Sequence, residues 1–302
     1  MAHIASSRPK RSGIRRAERR FIAMVLAPTL LFYAVFRFYP VGYAFYMSLH
    51  DWRLLRADQV FAGLDNYRML LADPLFHQVV RNTFYFAFGT TLLGTASALA
   101  LAILLNPIRQ GSTLYRLIFF LPVMTSTIAS ATIWLWLYQT RFGLLNHLLV
   151  MAGLPRVPWL QSATWAMPSI IIMSVWAGVG FTTIILLSGL RGIPAAYYEA
   201  AAIDGAAGWK VVRHITLPLL TPVLAFVTIT GLIGGFNVFQ QVFLMTRGGP
   251  YNSTRTISLH IYDYAFQRLW MGTAASMAFV MFAMVIMMTL VQMYLQRIDW
   301  EF

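Results

Sequence analysis

Polar and apolar residues do not alternate along this chain. The apolar ones gather into six long runs, at residues 21–49, 83–105, 117–138, 165–190, 218–245 and 272–295. Each is long enough to cross about 30 Å of hydrocarbon at roughly 1.5 Å per residue. The pattern predicts an all-α integral membrane protein with six transmembrane helices. It divides the chain into a basic tail (1–20), a first helix (21–49), an outer loop (50–81), a five-helix core (82–295) and a short tail (296–302). The length of the first run, and the lack of a small-residue cleavage site near its end, predict a retained helix rather than a signal peptide. Pro40 predicts a kink near its outer end, and Arg37 is placed to anchor at the interface.

Composition excludes a soluble alternative: 59% of residues are hydrophobic and 11% charged, against about 25% charged in soluble domains. The formal net charge of +13 raises the question of nucleic acid, but seven of the 23 Lys and Arg residues precede the first run. Charge placed there flanks a membrane helix and does not line a nucleic-acid groove. With the N-terminus inside, residues 1–20, 106–116, 191–217 and 296–302 hold 13 basic residues in 65 positions, and the outer segments hold 9 in 84. Both termini are therefore expected in the cytoplasm. The chain has no cysteine, and its six histidines have no metal-ligand spacing, so no metal site is expected. Asp51, Asp58, Asp65 and Asp73 face Arg53, Arg56, Arg68 and Arg81 in the first outer loop without the spacing of a calcium loop.

The loop at 191–217 differs from the other connections. Pro194 suits a first helical turn, Ala195, Ala196 and Ala200 to Ala202 favour helix, and Gly205 ends it. The expectation is a short helix, a turn and a second short helix leading into the fifth run. Its surface is mostly methyl groups, with Glu199 and Asp204 as its acids. Two readings stay open on composition: a face for another protein's backbone and arginines, or an amphipathic connector lying on the membrane.

Glu199-Ala200-Ala201, then Asp204-Gly205-Ala206, then Ile215-Thr216-Leu217-Pro218 resembles the EAA loop of permeases from binding-protein-dependent ABC importers. Phe61-Ala62-Gly63-Leu64-Asp65-Asn66-Tyr67, Asn82-Thr83, Leu121-Pro122 and Thr246-Arg247-Gly248-Gly249-Pro250 are similar to the carbohydrate-uptake branch, related to the maltose-type and glycerol-phosphate-type permeases. The resemblance implies a MetI-like permease core with an additional N-terminal helix, in a bacterial or archaeal plasma membrane. It implies a coupling helix in which Glu199, Ala200, Ala201, Asp204, Gly205 and Gly208 meet an ATPase subunit. The implied partners are a second homologous permease forming a heterodimer, two ATPase subunits and an extracytoplasmic solute-binding protein. No cofactor is expected on this chain; ATP and Mg belong to the ATPase. The residues agree, since no Gly-x-x-x-x-Gly-Lys-Ser/Thr phosphate cradle occurs.

A polar solute needs hydrogen-bonding groups inside the spans. Asn237, Gln240 and Gln241 offer them in the fifth run beside Gly231, Gly234 and Gly235, with Asn237 and Gln241 on one face if that helix is continuous. Interhelical polar packing is the competing reading. The maltose-type pattern, aligned on this chain, implies a solute pathway through Val123, Thr127, Ser174, Ala177, Gly178, Phe181, Gly235, Val238 and Gln240. At Val123, Ser174, Gly235 and Val238 the chain departs from the aromatic or amide of that pattern, which points to a reshaped pocket or to contacts from the second permease. The expected activity is permeation of a sugar or related polar solute, with no catalytic residue. An ion-driven secondary transporter is the alternative, and it would need ionisable residues inside the spans, where Arg37 alone is found. The same lack of cations favours a neutral sugar over a glycerol phosphate.

Overall fold

The computed structural model describes residues 11–56, 58–106 and 112–295. The tail residues 1–10 and 296–302, residue 57, and residues 107–111 of the inner connection lie outside the described residues. Among the described residues five helices are long and apolar enough to cross a membrane, Arg20–Ser48, Pro74–Leu105, Ala166–Gly192, Trp209–Phe236 and Met271–Tyr294, and a bent pair makes six if its two halves are counted as one span.

The bent pair stands where a single helix is expected at 117–138. Leu117–Met124 and Thr127–Leu137 meet at 104°. Pro122 stands inside the first half and cannot donate to the helix ladder. Ser126, extended at φ −60°, ψ 146°, restarts the chain as an N-cap, its hydroxyl accepting from Ala129 N. Uniform apolarity does not encode such a change of direction.

In the first span the irregularity falls before Pro40, as a π-helical turn at Ala34–Phe38. Widening the ladder there relieves the clash between the Pro40 ring and the carbonyl four residues back. Arg37 lies exposed within this turn. The outer end of the span, Tyr39–Ser48, packs on the last span. Asn66 fastens it there, its Nδ2 donating to the carbonyls of Ser48 and His50 at 2.9 Å each.

The second span starts at Pro74, inside the stretch expected to be loop, because Asp73 caps it through a 2.8 Å bond from Leu75 N. Ahead of it come a two-residue antiparallel pair, His50–Asp51 with Val60–Phe61, and the helix Asp65–Ala72.

Of the four buried apolar clusters that hold the helices together among the described residues, two, here called upper and lower, flank the middle of the bundle. Phe86, Met173 and Val238 belong to the upper cluster, and Ala98, Leu186 and Val227 to the lower. Spans two, four and five therefore each carry a stretch between the two clusters, and the cavity lies there. In the outer layer His260 is fully buried with neither ring nitrogen partnered. Burial first, then the Arg255 and Arg268 charges, holds its imidazole down at about 4, against a small opposing effect from Asp73.

Candidate functional site

A cavity of ≈ 630 Å³ lies between spans two, four and five, within the range of about 300–1,000 Å³ common for small-molecule sites. Of the residues expected on the solute pathway, Ser174, Gly178, Gly235, Asn237, Val238, Gln240 and Gln241 line it. Val123, Thr127, Ala177 and Phe181 do not. The first two flank the bend of the third span, where the chain turns away. On the fourth span Ser174, Gly178 and Thr182 recur every four residues and face the cavity. Ala177 and Phe181 fall on the adjoining face, with Phe181 exposed.

The fifth span corrects a second expectation. It runs as helix Leu217–Phe236, breaks, and resumes as Gln240–Met245. Asn237 and Gln241 therefore stand on two helices and share no continuous face. The break leaves carbonyls without ladder partners, and hydroxyls from the outer loop take them. Ser258 donates to Phe236 O at 3.3 Å and Thr256 to Val238 O at 3.2 Å. The Asn237 amide turns back to Ile233 O at 2.8 Å. Gln240 and Gln241 thus open the second helix at the cavity wall.

The glycines here do two different things. A Cβ on Gly235 would lie 2.6 Å from Ala87 Cα and 2.9 Å from Ala87 Cβ, and one on Gly231 would lie 3.2 Å from the Thr91 hydroxyl. These two let span five seat on Ala87 and Thr91 of span two, a small-residue crossing. Gly178 and Gly234 have nothing within 4 Å and leave open space.

Sequence reasoning missed the second span, which contributes Phe86, Thr90, Thr91, Gly94 and Thr95. Its signal was a pair of four-residue repeats, Thr90 with Gly94 and Thr91 with Thr95, in a run otherwise rich in Leu and Ala. Several hydroxyls on the wall are already spent on their own helix, Thr90 on Phe86 O and Ser174 on Ile170 O, both at 2.8 Å. Among the described residues the side chains of Thr95, Thr182, Gln240 and Gln241 make no hydrogen bond, so they are the groups open to a solute. No Asp, Glu, Lys, Arg or His is among the lining residues.

At the opposite end of the fifth span, the loop folds as its residues predict. Helix Ala195–Ile203 ends in a Schellman turn, with Ala206 N donating to Ala201 O at 2.9 Å, Gly205 N to Ala202 O at 3.1 Å, and Gly205 at φ +73°. Gly208, at φ +58°, starts the short helix Trp209–Val211, and a π-helical turn at Val212–Thr216 joins it to the span. The Tyr198 and Thr216 hydroxyls meet at 3.4 Å across the two arms. Glu199, Ala200, Asp204, Gly205 and Gly208 are exposed. Ala201 is not; it is 6% exposed and packs inward, so it shapes the loop without presenting itself. Ile203 and Trp209, 86% and 69% exposed, add large apolar surface to the same face. No ion pair engages Glu199 or Asp204 among the described residues.

The sequence pattern of the binding-protein-dependent transport system inner membrane component matches residues 82–298. A probable ABC transporter permease protein of Pyrococcus horikoshii is 34% identical over 288 residues, 93% of this chain and 97% of that one. The trehalose/maltose transport system permease protein of Thermococcus litoralis is 33% identical, covering 95% and 97% of the two chains. The lactose transport system permease protein of Rhizobium radiobacter is 33% identical over 91% and 93%. The fold is similar to that of a bacterial ABC transporter involved in the import of the acidic polysaccharide alginate, with a TM-score of 0.82 at 22% identity over 97% of this chain and all of the other.

Proposed function

This chain belongs to the family of binding-protein-dependent transport system inner membrane components, a multi-pass permease of an ABC importer, and from that premise we propose that it carries a neutral sugar through its central cavity. The observation that carries the reading is the uncharged wall, where the Gln240 and Gln241 amides and the Thr95 and Thr182 hydroxyls stand without internal partners. Amides and hydroxyls exchange hydrogen bonds with sugar hydroxyls, whereas an acidic solute would lack a counter-charge. The trehalose/maltose and lactose permeases among the relatives support the same class.

In this reading the chain pairs with a second homologous permease above two ATPase subunits that bind ATP and Mg, one of which docks on its exposed 199–208 loop, Glu199 offering its carboxylate to an arginine. Both termini lie in the cytoplasm of the plasma membrane. A solute-binding protein delivers solute at the outer face, around residues 246–250 and the first outer loop. The test is ATP hydrolysis by the reconstituted importer, stimulated by solute-loaded binding protein and driven across a range of sugars. Replacing Gln240 and Gln241 together with Leu is expected to lower the stimulated rate at saturating sugar-loaded binding protein about tenfold, one lost hydrogen bond or more. An unchanged value contradicts the cavity as the solute's route.

A further inference from the structure

The loop after the fifth span holds its backbone in unfavourable conformations. Arg247, Tyr251 and Asn252 have φ of 52°, 52° and 58°, a region that bulky L-residues rarely enter. Hydrogen bonds fix the loop from several sides. The Thr254 hydroxyl donates to Gly249 O at 2.8 Å and pairs with that of Thr246 at 2.7 Å. From the second span Asn82 Nδ2 donates to the carbonyls of Asn252 and Arg255, at 2.8 and 3.1 Å, and Gln78 Nε2 to that of Tyr251 at 3.3 Å. Arg255 donates to Asn252 Oδ1 at 2.9 Å and pairs with Asp263.

At the tip of this frame is the Tyr251 side chain. It is 90% exposed and makes no ring contact or side-chain hydrogen bond among the described residues. None of the residues from Arg247 to Arg255 lines the central cavity. A strained, over-determined loop that projects an aromatic ring into water gains nothing from that ring within its own chain. The arrangement serves a surface that covers the ring.

We propose that Tyr251 is the anchor by which the extracytoplasmic solute-binding protein docks on this subunit. The proposal rests on the importer reading above, in which the face opposite the 199–208 loop receives that protein. Tyrosine suits the role because it buries a large ring while its hydroxyl keeps a polar partner, and a rigid loop has little ordering left to lose on binding. Exposed Arg247 and Arg81, the latter next to Asn82, have no ion pair among the described residues. The partner surface that fits is a phenol-sized pocket bordered by carboxylates.

The complete importer in lipid nanodiscs, titrated with sugar-loaded binding protein, gives the test through ATP hydrolysis. Tyr251→Ala is expected to raise the half-maximal concentration of binding protein about tenfold or more, with basal hydrolysis and the saturated rate unchanged. Tyr251→Phe stays within about threefold of wild type. Tyr251→Asn removes the ring but tolerates the left-handed backbone, and it is expected to lose as much affinity as Tyr251→Ala. Wild-type affinity in Tyr251→Asn overturns the anchor while the importer reading stands. A wild-type complex that ignores the binding protein overturns the importer reading, and the anchor with it.

Discussion

Where the fifth span is entered from the 191–217 loop, Gly205 and Gly208 sit at φ +73° and +58°, and a Cβ on either would meet nothing within 4 Å. Further along the same span, Gly231 and Gly235 need no unusual φ, yet their missing Cβ atoms are what let Thr91 and Ala87 approach. The first pair is glycine for backbone conformation, on a surface left open. The second is glycine for space, in an interface already filled. One end of the span is thereby left as open surface, and the other holds two helices close enough to wall a cavity.

The largest expected effect tests the packed end. Gly235→Leu would drive a side chain into Ala87, whose atoms a Cβ alone would approach to 2.6 Å, and is expected to destabilise the permease by about 3 kcal/mol or more. Thermal melting in detergent, followed by size exclusion, would register this as loss of the folded peak. Gly234→Ala, with nothing within 4 Å, is expected to melt like wild type; equal losses in the two would erase the distinction.

Glu199→Arg probes the open end without touching the fold. Because Glu199 is exposed and unpaired among the described residues, Tm should hold. Solute-stimulated ATP hydrolysis is expected to fall about tenfold or more from a like-charge clash with the partner.

Acid offers a third test, in the outer layer. His260 takes up its proton near 4 in the folded chain and near 6.5 when unfolded, so its contribution is complete above about pH 6.5 and is lost as pH falls toward 4. By pH 5 the loss reaches about 2 kcal/mol. The melting temperature of His260→Phe should therefore fall less between pH 7 and pH 5 than that of wild type. The smallest effect belongs to Gly205→Ala, which has room for its methyl group but pays about 1 kcal/mol for the left-handed backbone. It should lower Tm slightly and leave solute affinity alone.

The same contrast explains what was legible in the sequence. The 191–217 loop follows local signals, Pro194, an alanine run and Gly205, so its helix, turn and exposed acids were readable residue by residue. The burial of Ala201 was not readable, because alanine carries no mark of which way it faces. The break at Asn237, Val238 and Phe239 depends on Thr256 and Ser258 reaching back from the next loop, and no short window contains that. The bend after Met124 was hidden in continuous apolarity. The threonines of span two went unread because a hydroxyl among leucines is as well explained by its own helix, as Thr90 illustrates. Of the positions taken from the family pattern, Val123, Thr127, Ala177 and Phe181 do not line this cavity, the last two because they lie off the face shared by Ser174, Gly178 and Thr182.

The chain has no cysteine, so a single thiol placed by Gln240→Cys reports on the cavity alone. In proteoliposomes holding the complete importer, the labelling rate of that thiol by membrane-impermeant maleimide can be followed from each side. The expected result is reaction from the cytoplasmic side without nucleotide, reaction from the outer side once ATP and loaded binding protein hold the ATPases closed, and slower labelling when sugar is present. A rate that is the same from both sides and indifferent to nucleotide and sugar would contradict the cavity as the solute's alternating route.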